Sequence, residues 1–167
     1  MLELMIVVAI AGILAAIAAP GMMDFIRANR LSTTARQLDA DLLLARREAI
    51  KRNTRVLVCP VISATDASGK CGSGTAAWAK GWLVCYDVEP PTGDCSPSTI
   101  VRRHGAIEPS LTLTGPPGVA RFNANGTQGA TGAGSLITFT TQGTWTPLKS
   151  YDELVSATGN VSMKAGS

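Results

Sequence analysis

Twenty uncharged residues, Leu4 to Met23, separate Glu3 from the next charge at Asp24, and the first sixteen of them, through Ala19, are mostly apolar. A helix of that length spans roughly 30 Å, about the hydrocarbon thickness of a bilayer. The segment therefore predicts a helix that crosses a membrane or forms the core of a filament. Glu3, at its edge, is a carboxylate that needs a partner in an apolar medium. Ala16-Ile17-Ala18 has the small residues of a signal-peptide cleavage site. However, the start carries Glu3 in place of a basic stretch, and the helical pattern continues past the site, so the segment is expected to be retained. Pro20-Gly21 predicts a kink or local melt, because proline removes a backbone donor and glycine favours irregular geometry.

With 167 residues, the chain allows one terminal helix and one modest domain. Its net charge of +3 is unevenly placed. Between Arg27 and Arg55 there are eight basic residues and three acids, whereas from Val56 onward there are seven of each. A general nucleic-acid-binding domain would concentrate its excess in the globular part. The basic segment beside the apolar one has two readings: attraction to anionic headgroups, or the solvated back of a helix. With the domain outside the cell membrane, this flank runs against the positive-inside tendency.

Periodicity divides the rest. Leu31, Ala35, Leu38, Leu42, Ala45 and Ala49 alternate steps of four and three, which places them on one face of a helix over 24–53. Asn53-Thr54 is a plausible stop. That face requires a cover, and the following domain is the only candidate. From Arg55 the pattern becomes short strands at 55–59, 81–86, 99–102, 110–113, 120–122, 135–140 and 153–156, punctuated by turn-rich stretches at 63–76, 90–94, 115–118 and 123–134. The fold class expected is α+β, a long N-terminal helix packed on small antiparallel sheets. Its parts are an apolar half (1–23), an amphipathic half (24–53) and a β-rich head (54–167).

Four cysteines, Cys59, Cys71, Cys85 and Cys95, all lie in the head. Their spacings fit no zinc pattern and His104 is the single histidine, so no metal site is expected. Disulfides are favoured, which implies an oxidising compartment. Three pairings are open; neighbours in sequence would close short loops. No constellation for catalysis is legible. His104 follows Arg102-Arg103 in a strand with no nucleophile motif nearby, and the glycine-rich run 129–134 lacks the lysine and helix that cradle phosphate. No enzyme activity, cofactor or small-molecule substrate is therefore expected.

The run Leu2-Glu3-Leu4-Met5-Ile6-Val7-Val8-Ala9-Ile10-Ala11-Gly12-Ile13-Leu14 through Pro20 resembles the N-terminal helix of type IV pilins and type II secretion pseudopilins. The segments 45–53 and 56–60, Gly81-Trp82-Leu83-Val84, Arg121-Phe122-Asn123-Ala124-Asn125-Gly126 and Leu154-Val155-Ser156-Ala157-Thr158-Gly159 resemble the GspH/FimT group of minor pseudopilins. The resemblance implies an inner-membrane protein with its head in the periplasm, later packed into a pilus or pseudopilus with other major and minor pilin subunits. Its place there would be in the initiating or tip complex. By the same resemblance, Glu3 neutralises the N-terminal amine of a neighbouring subunit and Pro20 marks the helix bend. The family's basic leader, its closing glycine and the usual phenylalanine and threonine do not precede Leu2, so Met1 is expected not to be the natural mature start.

The alternative is a tip subunit that captures DNA, with Arg102, Arg103 and Lys164 as contacts and Lys80 and Arg121 nearby. Members of the group implicated in DNA uptake carry Gly-Arg-x-Arg near the C-terminus. Here the spot reads Gly159-Asn160-Val161-Ser162, without either arginine. The loss of two phosphate-pairing groups leaves DNA as the less favoured partner.

Overall fold

The computed structural model describes residues 2–87, 93–129 and 136–166, with the backbone alone for 2 and 15–21. A single helix, α1, runs Leu2–Arg52. Its backbone stays helical through Pro20 and Gly21, so the melt expected there is not seen. One missing donor is a local cost, and in a helix of 51 residues the ladder resumes on both sides. The C-terminal stop is where the sequence places it. Asn53 turns left-handed at φ 50°, and the Thr54 N–H reaches back to the Ala49 carbonyl at 3.2 Å, a left-handed cap.

Eight strands follow among the described residues: β1 (Val56–Pro60), β2 (Trp82–Tyr86), β3 (Ile100–His104), β4 (Leu111–Thr114), β5 (Ala120–Phe122), β6 (Ile137–Gly143), β7 (Ser150–Val155) and β8 (Val161–Ala165). They form two antiparallel sheets of four, ordered β3-β2-β1-β5 and β4-β6-β7-β8. Three features depart from the sequence expectation. A 3-10 helix at Thr75–Lys80 closes the stretch read as turns, and it buries Trp78. β7 begins at Ser150 rather than 153, because Tyr151-Asp152-Glu153 is a weak strand signal. β8 was not expected at all; four of its five residues are exposed, so no buried face shapes its composition.

Every member of the predicted helical stripe, Leu31, Ala35, Leu38, Leu42, Ala45 and Ala49, is at most 1% exposed. Inner-facing side chains of both sheets cover it, among them Val58, Trp82, Phe122, Phe139 and Val155. β4 and β6 alternate buried and exposed residues, as expected of sheets with one wet face. β1 is buried along its whole length because it is covered twice, and that is why it reads as an unbroken apolar run. Its second face joins Leu83, Cys85 and Cys95 in a smaller core behind the first sheet.

The main core contains one outlier. Glu153 points inward from β7 with no exposure, and neither carboxylate oxygen has a hydrogen-bond partner. Burial, reinforced by the negative charges of Asp39 and Asp152, pushes its pKa up to about 8 from an ordinary 4.5. The folded state thus holds a proton there that the unfolded chain releases near pH 4.5. The stabilisation is complete below that pH and is lost as pH rises towards 8. Glu153→Gln is expected to leave the denaturation midpoint nearly unchanged at pH 4.5 and to raise stability above pH 8 by about 5 kcal/mol at most, at about 1.4 kcal/mol per pH unit. Urea titrations at the two pH values check this, and equal effects at both would contradict it.

Candidate assembly site

The first half of α1 stands clear of the head. Leu4, Met5, Val8, Ile13, Met22 and Phe25 are all more than half exposed, and Leu4 is 71% exposed. An apolar surface of that extent on a soluble monomer would be exceptional, so it marks a surface meant to be covered. Glu3 lies in the first turn of the helix, at the far end of this surface. Pro20 lies on the same helix, with its side chain outside those described. Among the described residues no helix is long and apolar enough to cross a membrane.

The second half of α1 is tied to the head by polar contacts along both rims of the stripe. At its C-terminal end, Arg46 Nε donates to the Gly126 carbonyl at 3.1 Å and its Nη2 to the Thr158 carbonyl at 3.2 Å. Two turns distant in sequence meet here. Gly126 and Gly159 both adopt positive φ (78° and 76°), and a Cβ on Gly159 would lie 1.9 Å from the Gly126 oxygen. Only glycine allows that approach. The two motifs with a familial look, 121–126 and 154–159, are thus halves of one clasp over Arg46 and Ile50. Sequence reasoning placed Arg46 off the apolar stripe and gave it no task. Its position directly after the buried Ala45 was the available signal.

Further along the helix, buried Asp41 accepts from Trp82 Nε1 and from Arg102 Nη1, each at 2.9 Å. Glu48 accepts from the Tyr86 hydroxyl at 2.7 Å and from Arg52 Nε at 3.0 Å. These two bonds, Tyr86 first, hold the Glu48 carboxyl below its ordinary pKa, while desolvation and the facing Glu48 push the Tyr86 hydroxyl up. Near the head end of the helix, Arg30 pairs with Glu108.

The sites predicted for DNA are divided. Arg102 and Arg103 are neighbours on β3, whereas Lys164 sits on β8, the outer strand of the other sheet. Arg102 is committed to Asp41, Arg103 donates to the Asp66 carbonyl, and Arg121 lies 3.3 Å from buried Asp87. Lys80 donates to the Ile62 carbonyl at 3.2 Å, and the His104 ring stacks on Trp82 with centroids 4.2 Å apart. The structure brings the first two cations together and does not join Lys164 to them.

Of the three open pairings, the cysteines adopt that of sequence neighbours, Cys59–Cys71 and Cys85–Cys95. The bonds tie loop residues 71 and 95 to β1 and β2. They also pack on one another, with Cys95 Sγ 3.8 Å from Cys59 Sγ. The sulfurs of Cys59, Cys71 and Cys95 fall within 4.8 Å of each other, but each is already in a disulfide and offers no thiolate to a metal.

Residues 34–159 match the family model of the type II transport protein GspH. No curated protein matches the chain. Two crystal structures of the type IV minor pilin FimU from Pseudomonas aeruginosa PAO1, in space groups P21 and P65, are similar, each at 20% identity. They cover 85% and 81% of this chain and 96% of the FimU chain in each case, with TM-scores of 0.58 and 0.57. At that identity the likeness is one of fold.

The clasp and the disulfides lead to separate expectations. Arg46→Ala leaves two turn carbonyls without their charged donor and should cost about 1.5–3 kcal/mol in chemical denaturation. Amide exchange should speed up at 125–128 and 156–160 before it does elsewhere; uniform protection would contradict the clasp. Reducing each disulfide should remove about 3 kcal/mol, the value expected for loops of this length in the chain-entropy model.

Proposed function

The chain belongs to the GspH family of type II transport proteins, a minor pilin or pseudopilin by family and fold, and on that premise we propose that it joins its filament in the initiating or tip complex. One observation carries the proposal: α1 is a single helix with two unlike covers. From Leu31 to Ala49 its apolar face is closed by its own sheets, while the described apolar side chains at 4–14 and 22–25 are bare. The bare half needs a medium supplied from outside the chain. Inner-membrane lipid would supply it first, with the head in the periplasm, and the helices of other pilin subunits would supply it later. Lateral contact between such helices is favoured by small residues four apart in sequence, Ala11 with Ala15 and Gly12 with Ala16, which let backbones approach.

In this assembly Glu3 is the registry device. A carboxylate in an apolar bundle is costly when unpaired and tolerated when a neighbour's N-terminal amine neutralises it. Subunits docked at the wrong height would bury it alone. Pro20 has the lesser role of a point where the helix accommodates its neighbours. Many charged side chains of the head, Arg102, Arg103 and Arg121 among them, have partners within the protein, which supports a structural task. DNA capture is the weaker reading, because Arg102 and Arg103 have local partners and Lys164 stands apart.

Glu3→Ala is expected to leave the head folded and the precursor present at normal level, while incorporation into filaments falls at least tenfold. Immunoblots of sheared filaments against the membrane fraction measure this. Undiminished incorporation would remove Glu3 from assembly. Arg103→Ala with Lys164→Ala, which spares the Arg102–Asp41 pair, should leave DNA mobility shifts of the full chain in detergent unchanged.

A further inference from the structure

The second sheet is fixed at both ends against α1. Its β7–β8 turn accepts from Arg46 through the Thr158 carbonyl. Its opposite end, the β6–β7 loop at 144–149, is held by Thr144, whose N–H and hydroxyl both donate to the Ser110 carbonyl at 3.1 and 3.0 Å. Ser110 is two residues from Glu108, the partner of Arg30 on α1. Arg30 and Arg46 are separated by about 24 Å of helix, and the strands of this sheet span roughly 17 Å between those ties. The 144–149 loop therefore lies at the end of the second sheet that faces the Arg30 end of the contact with α1, and Arg30 is itself about one helix turn from Phe25 and Ile26.

Its composition is unlike that of the other loops. Leu148 is 65% exposed, and Lys149 is exposed and makes no ion pair among the described residues. Trp145 folds back over Gly143, where any side chain would strike its ring, and the indole is half-buried there. The acids at this end are matched: Asp24 pairs with Arg27 at 3.6 Å and Glu108 with Arg30, which leaves Lys149 as excess charge. A tryptophan, an exposed leucine and a lysine at the mouth of an apolar helix are the groups that settle at a headgroup boundary: the indole at the polar–apolar edge, the leucine below it and the amine on phosphate.

We propose that the 144–149 hairpin is a foot that rests on an anionic phospholipid surface, Trp145 and Leu148 entering the headgroup region and Lys149 pairing with lipid phosphate. This rests on the reading that the apolar half of α1 lies in a membrane before assembly. The foot sets the tilt of the head on the bilayer and is released when the subunit is drawn into a filament.

The two other tryptophans are fully buried, with their indole N–H groups bonded to the Pro116 carbonyl and to Asp41. Quenching by lipid therefore reports on Trp145. The full chain is reconstituted into vesicles of phosphatidylcholine and phosphatidylglycerol carrying bromine near the headgroup end of the acyl chains, and co-flotation is recorded alongside tryptophan emission. The expected result is co-flotation with partial loss of emission. That loss should vanish in Trp145→Phe, shrink in Leu148→Ser and weaken when phosphatidylglycerol is omitted, with flotation itself unchanged. Co-flotation with no quenching would overturn the foot and leave the membrane reading standing. Failure to co-float would take down both. Shielding of Trp145 in sheared filaments but never in vesicles would assign the surface to a sister subunit and overturn the proposal.

Discussion

Both sheets close over the same floor, six small or branched apolar side chains on one face of α1 between Leu31 and Ala49. Neither sheet has enough of a core without it. The alanines at 45 and 49 let strands approach the helix axis closely, and the leucines at 38 and 42 pack among Trp82, Phe122 and Phe139. The stripe ends where the head ends. Beyond it, towards the N-terminus, the same helix keeps an apolar surface at 4–14 and 22–25 that is exposed among the described residues. This contrast along a single rod separates a part covered by its own sheets from a part whose described side chains are exposed.

An apolar stripe alone does not fix how a sheet is rotated on a helix, because hydrophobic contact is non-directional. The polar ties along its rims supply the direction. Asp41 locks Trp82 and β3, Glu48 locks Tyr86 at the end of β2, and Arg46 gathers the turn after β5 of the first sheet and the β7–β8 turn of the second. On the outer face of the first sheet, where Leu57, Leu83 and a few neighbours form a thin core, two disulfides supply constraint that burial there is too small to provide. Glu153 is the counterexample. It is buried opposite another acid, Asp39, and has no tie, so it stays neutral over most of the range in which the other carboxylates are charged.

A bare apolar helix half and a self-sufficient head suit a subunit that must change surroundings. In the assembly proposed above, moving from lipid to a bundle of sister helices would keep the apolar half dry throughout and leave the fold of the head alone. Ties within the head and to α1 occupy most of its described charged side chains.

Much of this was legible in the residue pattern because it depends on periodicity. The apolar run, the six-residue stripe, the stop at Asn53 and the doubly covered β1 each follow from spacing along a single element. β8 and the start of β7 were not legible, since an outer strand with one wet face and a strand opening on Tyr151-Asp152-Glu153 present no apolar alternation. Trp78 in its 3-10 helix was hidden for a different reason: its neighbours are small, and only the contact with Phe139 shows it to be core. The sequence by itself determined that α1 has two halves with different covers, because that is set by which side chains are apolar and how often they recur. Only the tertiary structure decided what Arg46, Asp41, Gly159 and Arg102 are for. Their roles depend on which distant carbonyl, carboxylate or ring lies within hydrogen-bond reach, and no spacing along the chain encodes that.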